Sequence, residues 1–233
     1  MFKVFYKYSA CIKICTDDLK ILCDPWFGEN AYDGTWGQYP EINDLENLVG
    51  DFDMVYISHI HPDHYCFESL QFLFNKFGEK KIIIGDWGKN KANFLERKIS
   101  SDGFGNLLCV SNNETVNDTK INIIPNNTNS ISDIDTALIV SSKRTGKAVL
   151  NINDCIYNQS HFNKILELKN KLKIEFTLFC LGYTGAGPYP QTYFSPETQE
   201  EILIEKSQAK KNSFFKRYKN AINEIPSSKR LPF

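Results

Sequence analysis

The segment Ser58-His59-Ile60-His61-Pro62-Asp63-His64 constrains this chain more than any other. It follows directly on Met54-Val-Tyr-Ile-Ser58, a continuous apolar run that reads as a strand buried on both faces. Four side chains able to ligate a metal, His59, His61, Asp63 and His64, therefore fall within six residues at the end of that strand. Alternate residues of an extended segment share a face, so His59 and His61 are expected to project together. Pro62 stops the ladder and is expected to let Asp63 and His64 open the next helix, facing the same space. The chain has only 4 histidines and three of them stand here, so scattered surface histidines explain the cluster poorly. Imidazoles beside a carboxylate suit Zn²⁺, Fe²⁺ or Mn²⁺ better than Ca²⁺ or Mg²⁺, which prefer oxygen shells.

A chain of 233 residues can bury a sizeable core, and residues 1–233 are expected to form one α/β domain. A net charge of −1 argues against a dedicated nucleic-acid binder, which carries a basic excess. The N-terminus alternates apolar and polar residues like a strand rather than presenting the apolar core of a signal peptide. No apolar run is long enough to span a bilayer, and a cytoplasmic location is expected. The 7 cysteines (positions 11, 15, 23, 66, 109, 155 and 180) form no Cys-x-x-Cys pair, which argues against a disulfide framework or a zinc knuckle. Cys66 and Cys155 flank chemistry-bearing segments and are kept as candidate pocket residues.

Lys3–Tyr8, Cys11–Thr16 and Ile21–Cys23 read as short strands. Asp24-Pro25-Trp26-Phe27 ends the third and opens a loop to Ile42 rich in Gly, Asn and aromatic residues, either a surface loop or a wall of the site. Phe67 to Phe77 has helical apolar spacing and stops at Gly78. Further strands are expected at Lys81–Gly85, Ile121–Ile124, Thr136–Val140, Ala148–Asp154 and Glu175–Leu181. Helices are expected at Lys91–Ser100, Ser160–Lys171 and, as one or two, from Pro196 to about Asn223. Strands outnumber helices without strict alternation, which favours two packed sheets flanked by helices.

The histidine segment resembles the His-x-His-x-Asp-His signature of the metallo-β-lactamase superfamily. Ile-Leu-Cys-Asp24-Pro-Trp-Phe before it and Leu-Asn-Ile-Asn-Asp154-Cys after it resemble one branch. That branch holds lactonase-like and phospholipase-D-like metallohydrolases and the domain of CMP-N-acetylneuraminate hydroxylase. The resemblance implies an α+β, four-layer αββα sandwich. It implies that His59 and His61 hold one metal, Asp63 and His64 a second, and that Asp154 bridges them. Independently, a buried strand ending in Asn-Asp before a polar loop is a natural ligand position, or else a turn or helix-cap aspartate.

The family supplies further histidines that this sequence lacks: Ile121-Asn-Ile-Ile-Pro-Asn126-Asn127-Thr-Asn129 offers only amides where one is expected. The remaining histidine, His161, lies in a helical pattern and reads as a surface or capping residue. His59, His61 and Asp154 would still hold one ion with an open position, as catalytic zinc or non-haem iron requires. Zinc is the first expectation, iron or manganese the alternatives, with one or two ions in all. The reading that follows is a metal-dependent hydrolase acting on an ester, lactone or phosphodiester, with Asp63 orienting the attacking water or taking its proton. A degenerate fold kept as a binding module is the second reading. The third is a component of a nucleotide-sugar hydroxylase system, which needs a Rieske centre on a separate chain because no Cys-x-His pair occurs. A small-molecule substrate is the expected partner.

Two flanking features remain. Gly182 to Pro190 is glycine-rich but lacks the Gly-Lys-Ser/Thr of a phosphate loop. From Glu205 onward, Lys216, Arg217 and their neighbours make a basic run with an apolar stripe of Phe214, Phe215, Tyr218 and Ile222, which reads as a solvated helix face or an anion-binding surface. Arg230 to Phe233 follows with no apolar run of its own, so the last strands of the fold are expected to be missing or supplied by a partner.

Overall fold

The computed structural model describes residues 2–28, 31–88, 93–111, 113–127, 134–155, 158–183 and 189–232. The first sheet is built from β1 (Lys3–Tyr8), β2 (Cys11–Cys15), β3 (Lys20–Cys23), β4 (Met54–Tyr56), β5 (Lys81–Gly85) and β6 (Leu107–Val110), side by side in that order. β1 to β3 are antiparallel; β3 to β6 run parallel. The second sheet contains β7 (Glu114–Val116), β8 (Thr119–Pro125), β9 (Thr136–Ser142), β10 (Lys147–Asn151), β11 (Glu175–Leu181) and β12 (Lys229–Pro232), adjacent in chain order. β7 to β10 are antiparallel, whereas β11 lies parallel to both β10 and β12.

Alternation within each strand divides the apolar side chains between two layers. Ile12, Ile14, Ile21, Tyr56 and Ile83 of the first sheet meet Ile121, Ile123, Leu138, Val140 and Val149 of the second in the central core. On the outer face of the first sheet, Leu22, Val55, Ile57 and Ile82 pack under Leu70 and Leu73 of α3 (Phe67–Phe77) and Leu95 and Ile99 of α4 (Phe94–Ser101). On the outer face of the second, Ile139, Leu150, Phe176 and Phe179 pack under Phe162 and Ile165 of α5 (Gln159–Leu172) and Ala221 of α6 (Glu200–Glu224). Strands buried on both faces explain the unbroken apolar runs, and the result is the αββα layering expected from the sequence. Two short elements, α1 (Ala31–Gly34) and α2 (Leu45–Val49), lie in the connection from β3 to β4.

The structure corrects two expectations. The chain does carry a closing strand: β12, short and cationic, pairs Lys229 to Pro232 with Leu178 to Leu181 of β11. Four residues containing Lys, Arg and Pro give no alternation to read, which is why the strand is invisible in sequence. Asp63 and His64 do not open a helix. They lie in a turn, closed by amide donations from His64 and Tyr65 to the His61 carbonyl (2.9 and 2.8 Å), and α3 begins only at Phe67. Of the one or two helices expected after Pro196, the structure shows one, α6, and no helix among the described residues is long and apolar enough to cross a membrane.

The sheets are locked by a polar contact beneath the future site. The Tyr56 hydroxyl lies 2.9 Å from the Thr136 carbonyl and 2.8 Å from Thr136 Oγ1, which donates to the Ser58 carbonyl at 2.8 Å. Gly85 faces the same threonine: a Cβ there would lie 2.7 Å from Thr136 Cγ2 and 3.0 Å from Ile123 Cγ2. Gly85→Ala is therefore expected to wedge the sheets apart at a cost of about 1–3 kcal/mol. For a chain of this size that lowers the thermal midpoint by roughly 2–4 °C per kcal/mol. An unchanged midpoint in a melting experiment would contradict this packing.

Candidate metal centre

The site forms where the carboxyl ends of β3 and β4 meet the ends of β9 and β10 across the gap between the sheets. β3 delivers Asp24, which has no exposed surface and a left-handed backbone (φ 44°). Its Oδ1 accepts the Ser58 amide at 2.7 Å, tying β3 to the chain leaving β4, and its Oδ2 lies 3.3 Å from His64 Nδ1. Ser58 Oγ sits between two histidines, 3.0 Å from His59 Nδ1 and 3.2 Å from His64 Nδ1. Ser58 and Asp24 thereby fix the orientation of the rings that follow.

His59, His64 and Asp154 converge, each offering one ligand atom, with all three atoms within 4.8 Å of one another. Asp154, after β10, brings Oδ2 to 3.4 Å from His64 Nε2. His61 is exposed and packs on the cluster edge, with Nδ1 2.8 Å from His59 Nε2 and ring centroids 4.5 Å apart. Asp63 Oδ2 stands 3.8 Å from His64 Nε2. Of the side chains named from the sequence, His59, His64 and Asp154 converge while His61 and Asp63 stand at the edge, so His64, rather than His61, shares the tight triad with His59 and Asp154. The turn at residues 61–65 carries His64 back beneath His59, leaving the two rings 4.1 Å apart.

The electrostatics separate the histidines. Burial holds His59 well below the usual histidine range, and the neighbouring His64 and His61 push it further. Burial likewise lowers His61, against the pull of Asp63 and Asp154. Burial also opposes charge on His64, but Asp24 and Asp154 outweigh it and raise that group well above the ordinary value. Asp154 is lowered because its hydrogen bond to His64 and the charges of His64 and His61 overcome the cost of burial. Two imidazoles and a carboxylate make a donor set that fits a divalent cation, His59 with its lone pair already free and His64 on giving up the proton that Asp24 and Asp154 hold there. The inner Asp24 Oδ2, buried and facing His64 Nδ1 at 3.3 Å, fits the role of the carboxylate that orients a ligating histidine.

Asp135, which has no signature in the sequence, and Tyr32, from the aromatic loop expected to be a surface loop or a wall of the site, complete the surroundings. Asp135, just before β9, places Oδ1 3.4 Å from His59 Nδ1. Tyr32, in the aromatic loop after β3, donates its hydroxyl to Asp63 Oδ1 at 2.8 Å and stacks on Trp36 with centroids 4.6 Å apart. Tyr32 and Asp33 both adopt left-handed backbone (φ 55°), so this loop is held in a conformation that side chains disfavour and lies against the site as a wall. Burial, then the bond to Asp63, raises the Tyr32 hydroxyl and keeps it protonated.

Other candidates fall elsewhere. His161 is fully buried rather than on the surface. It caps α5, where its Nδ1 faces the Asn158 amide at 3.4 Å in a capping box, and its Nε2 lies 3.0 Å from the Asn127 carbonyl. Asn126 is buried, and its Oδ1 has no hydrogen-bond partner among the described residues. Asn129 and residues 184–188 of the glycine-rich segment lie outside the described residues. Cys66 is buried with Trp26 and Ala31, while Cys155 lines a cavity beside Asp154.

A family profile described as "Beta-lactamase superfamily domain" matches residues 3–140, more than half of the chain, and includes the whole histidine segment. The chain belongs to the β-lactamase superfamily. It is 30% identical over 200 residues to a Mycolicibacterium smegmatis protein named as a Rieske 2Fe-2S iron–sulfur protein, covering 81% of this chain and 35% of the relative. It is 27% identical over 166 residues to the cytidine monophosphate-N-acetylneuraminic acid hydroxylase of Danio rerio, covering 64% of this chain and 25% of that protein. The chain therefore spans about a third or less of these curated relatives. Among solved structures, a possible metal-dependent hydrolase from Veillonella parvula matches with a TM-score of 0.57 at 12% identity, covering 97% of each chain, which supports the shared fold.

The opposed histidine shifts give a pH signature. His64 has a folded pKa above its unfolded value. Its contribution to the stability of metal-free protein is therefore fully present below about pH 6.5 and is lost as pH rises through the folded value. In chelator-treated samples, the gap in melting temperature between wild type and His64→Gln is expected to be widest near pH 6 and to narrow towards alkaline pH. A gap that widens with rising pH would contradict the Asp24–His64–Asp154 pairing.

Proposed function

We propose that the chain is a metal-dependent hydrolase in which His59, His64 and Asp154, with His61 and Asp63 beside them, hold one or two divalent ions, zinc first. The convergence of two imidazoles and a carboxylate within 4.8 Å carries this reading. A bound ion would supply an acidified water and a Lewis-acid contact for an ester, lactone or phosphodiester oxygen under attack. Asp63 is fixed by the Tyr32 hydroxyl at Oδ1, which leaves Oδ2 to orient the attacking water or receive its proton. His59, kept neutral by burial, offers its lone pair without first losing a proton. Asp24 and Ser58 hold His64 and His59 in place from behind. Asp154 is half-exposed, so the centre opens to solvent on its side.

The names of the curated relatives favour a second reading, a metal-binding component of a hydroxylase system. A panel of ester, lactone and phosphodiester substrates, set beside oxygen uptake in the presence of a reductant, separates the two. Elemental analysis comes first. One or two equivalents of zinc, iron or manganese are expected in the purified protein, lost in His59→Ala and Asp154→Ala. Absence of stoichiometric metal after supplementation would leave only a binding module on this fold. Asp24→Asn, which removes the charge behind His64, is expected to weaken metal affinity by about 10–100-fold in a competitive chelator titration. An unchanged affinity would contradict the orienting role.

A further inference from the structure

We propose that the cavity between α6 and the Asp154 loop is a binding subsite for a small molecule carrying an anionic group on an apolar or aromatic body, with Lys216 and Arg217 holding the anion. As a substrate subsite this rests on the metal-dependent reading above; as a binding site it stands on its own geometry. The cavity measures about 590 Å³, within the range that accommodates small-molecule ligands. Asp154 lines one part of it, so the space adjoins the candidate metal centre.

On the opposite wall, Phe214, Arg217, Tyr218 and Ala221 recur at i, i+3, i+4 and i+7 and bring one face of α6 to the cavity, Phe214 and Tyr218 half-buried and Arg217 exposed at its rim. Ala221 is buried and Tyr218 packs on the outer core of the second sheet, which anchors this half of the helix. The N-terminal half of α6, by contrast, has no buried residue. The cavity is thus roofed by the docked part of the helix.

Its chemistry is divided. Ile152, Phe162 and Leu181 make the floor apolar, and Phe214 and Tyr218 add rings above it. Among the described residues of the lining, Asp154 is the only acidic side chain, and Lys216 and Arg217 are the only cations. Neither cation forms an ion pair among the described residues, although the chain has 28 acidic side chains available for pairing. The Arg217 guanidinium lies over the Phe214 ring at 4.2 Å, a stacking contact that leaves its in-plane N–H groups free to grip a carboxylate or phosphate in a fork. A ligand with its anion on Lys216 and Arg217 and its body across the apolar floor would direct its other end towards Asp154.

The test is a calorimetric titration of chelator-treated protein with phenyl phosphate, phenylacetate and neutral benzyl alcohol, repeated on the double variant Lys216→Gln/Arg217→Gln. Metal uptake is measured on the same preparations. Saturable binding of at least one anion by wild type is expected, with affinity at least tenfold weaker in the double variant and for benzyl alcohol. The comparison of phosphate with carboxylate identifies which anion the pair prefers. Both substituted residues are exposed, so the variant should keep its melting temperature and its metal uptake. Undiminished binding in the folded variant, or no saturable binding of either anion by wild type at millimolar concentration, would overturn the subsite. Anion binding by a protein that takes up no metal would preserve the subsite while removing the hydrolase reading.

Discussion

Everything at the candidate centre hangs on one buried carboxylate. Asp24 has no contact with solvent, and an ionised carboxylate in such a place is costly unless paired and hydrogen-bonded. Two partners meet that cost. The Ser58 amide donates to one oxygen, and the imidazole of His64, raised well above its ordinary pKa, faces the other. In addition, the Asp24 amide donates to the Tyr56 carbonyl at 2.9 Å, so backbone and side chain together bind the end of β3 to the end of β4. The same side chain that closes this corner of the first sheet aims His64 and sets its charge.

The second constraint is that the site belongs to neither sheet alone. Asp24, His59 and His64 come from the first; Asp135 and Asp154 come from the ends of β9 and β10 in the second. Their spacing depends on how closely the sheets approach, which the Tyr56–Thr136–Ser58 contact fixes from below. Gly85 permits that approach by presenting no side chain to Thr136. Packing at the interface and ligand geometry are therefore coupled: a change that spreads the sheets also draws Asp154 away from His64.

Much of this was legible in the sequence because it was local. The apolar run into His59 announced a buried strand, the spacing from Phe67 to Phe77 announced α3, and Gly78 ended it as expected. Asp154 stood out as an acid after a buried strand. What the sequence concealed was tertiary. His64 joins His59 and Asp154 through a turn that residue spacing could not distinguish from a helix start. Asp135 and Tyr32 reach the site only through the docking of the second sheet and the folding of the aromatic loop. β12 escapes notice because pairing with β11, not its own pattern, makes it a strand. His161 is buried because its ring serves a helix cap and a distant carbonyl at once, a pairing that no local motif encodes.

The central claim is that His59, His64 and Asp154 share an ion. Anomalous diffraction from crystals of the purified protein, recorded across the zinc, iron and manganese absorption edges, tests it most directly. The expected result is a strong anomalous peak within bonding distance of His59, His64 and Asp154, at the edge of the metal found by elemental analysis. Metal-replete crystals with no peak at these residues, or with the ion bound elsewhere, would contradict the account.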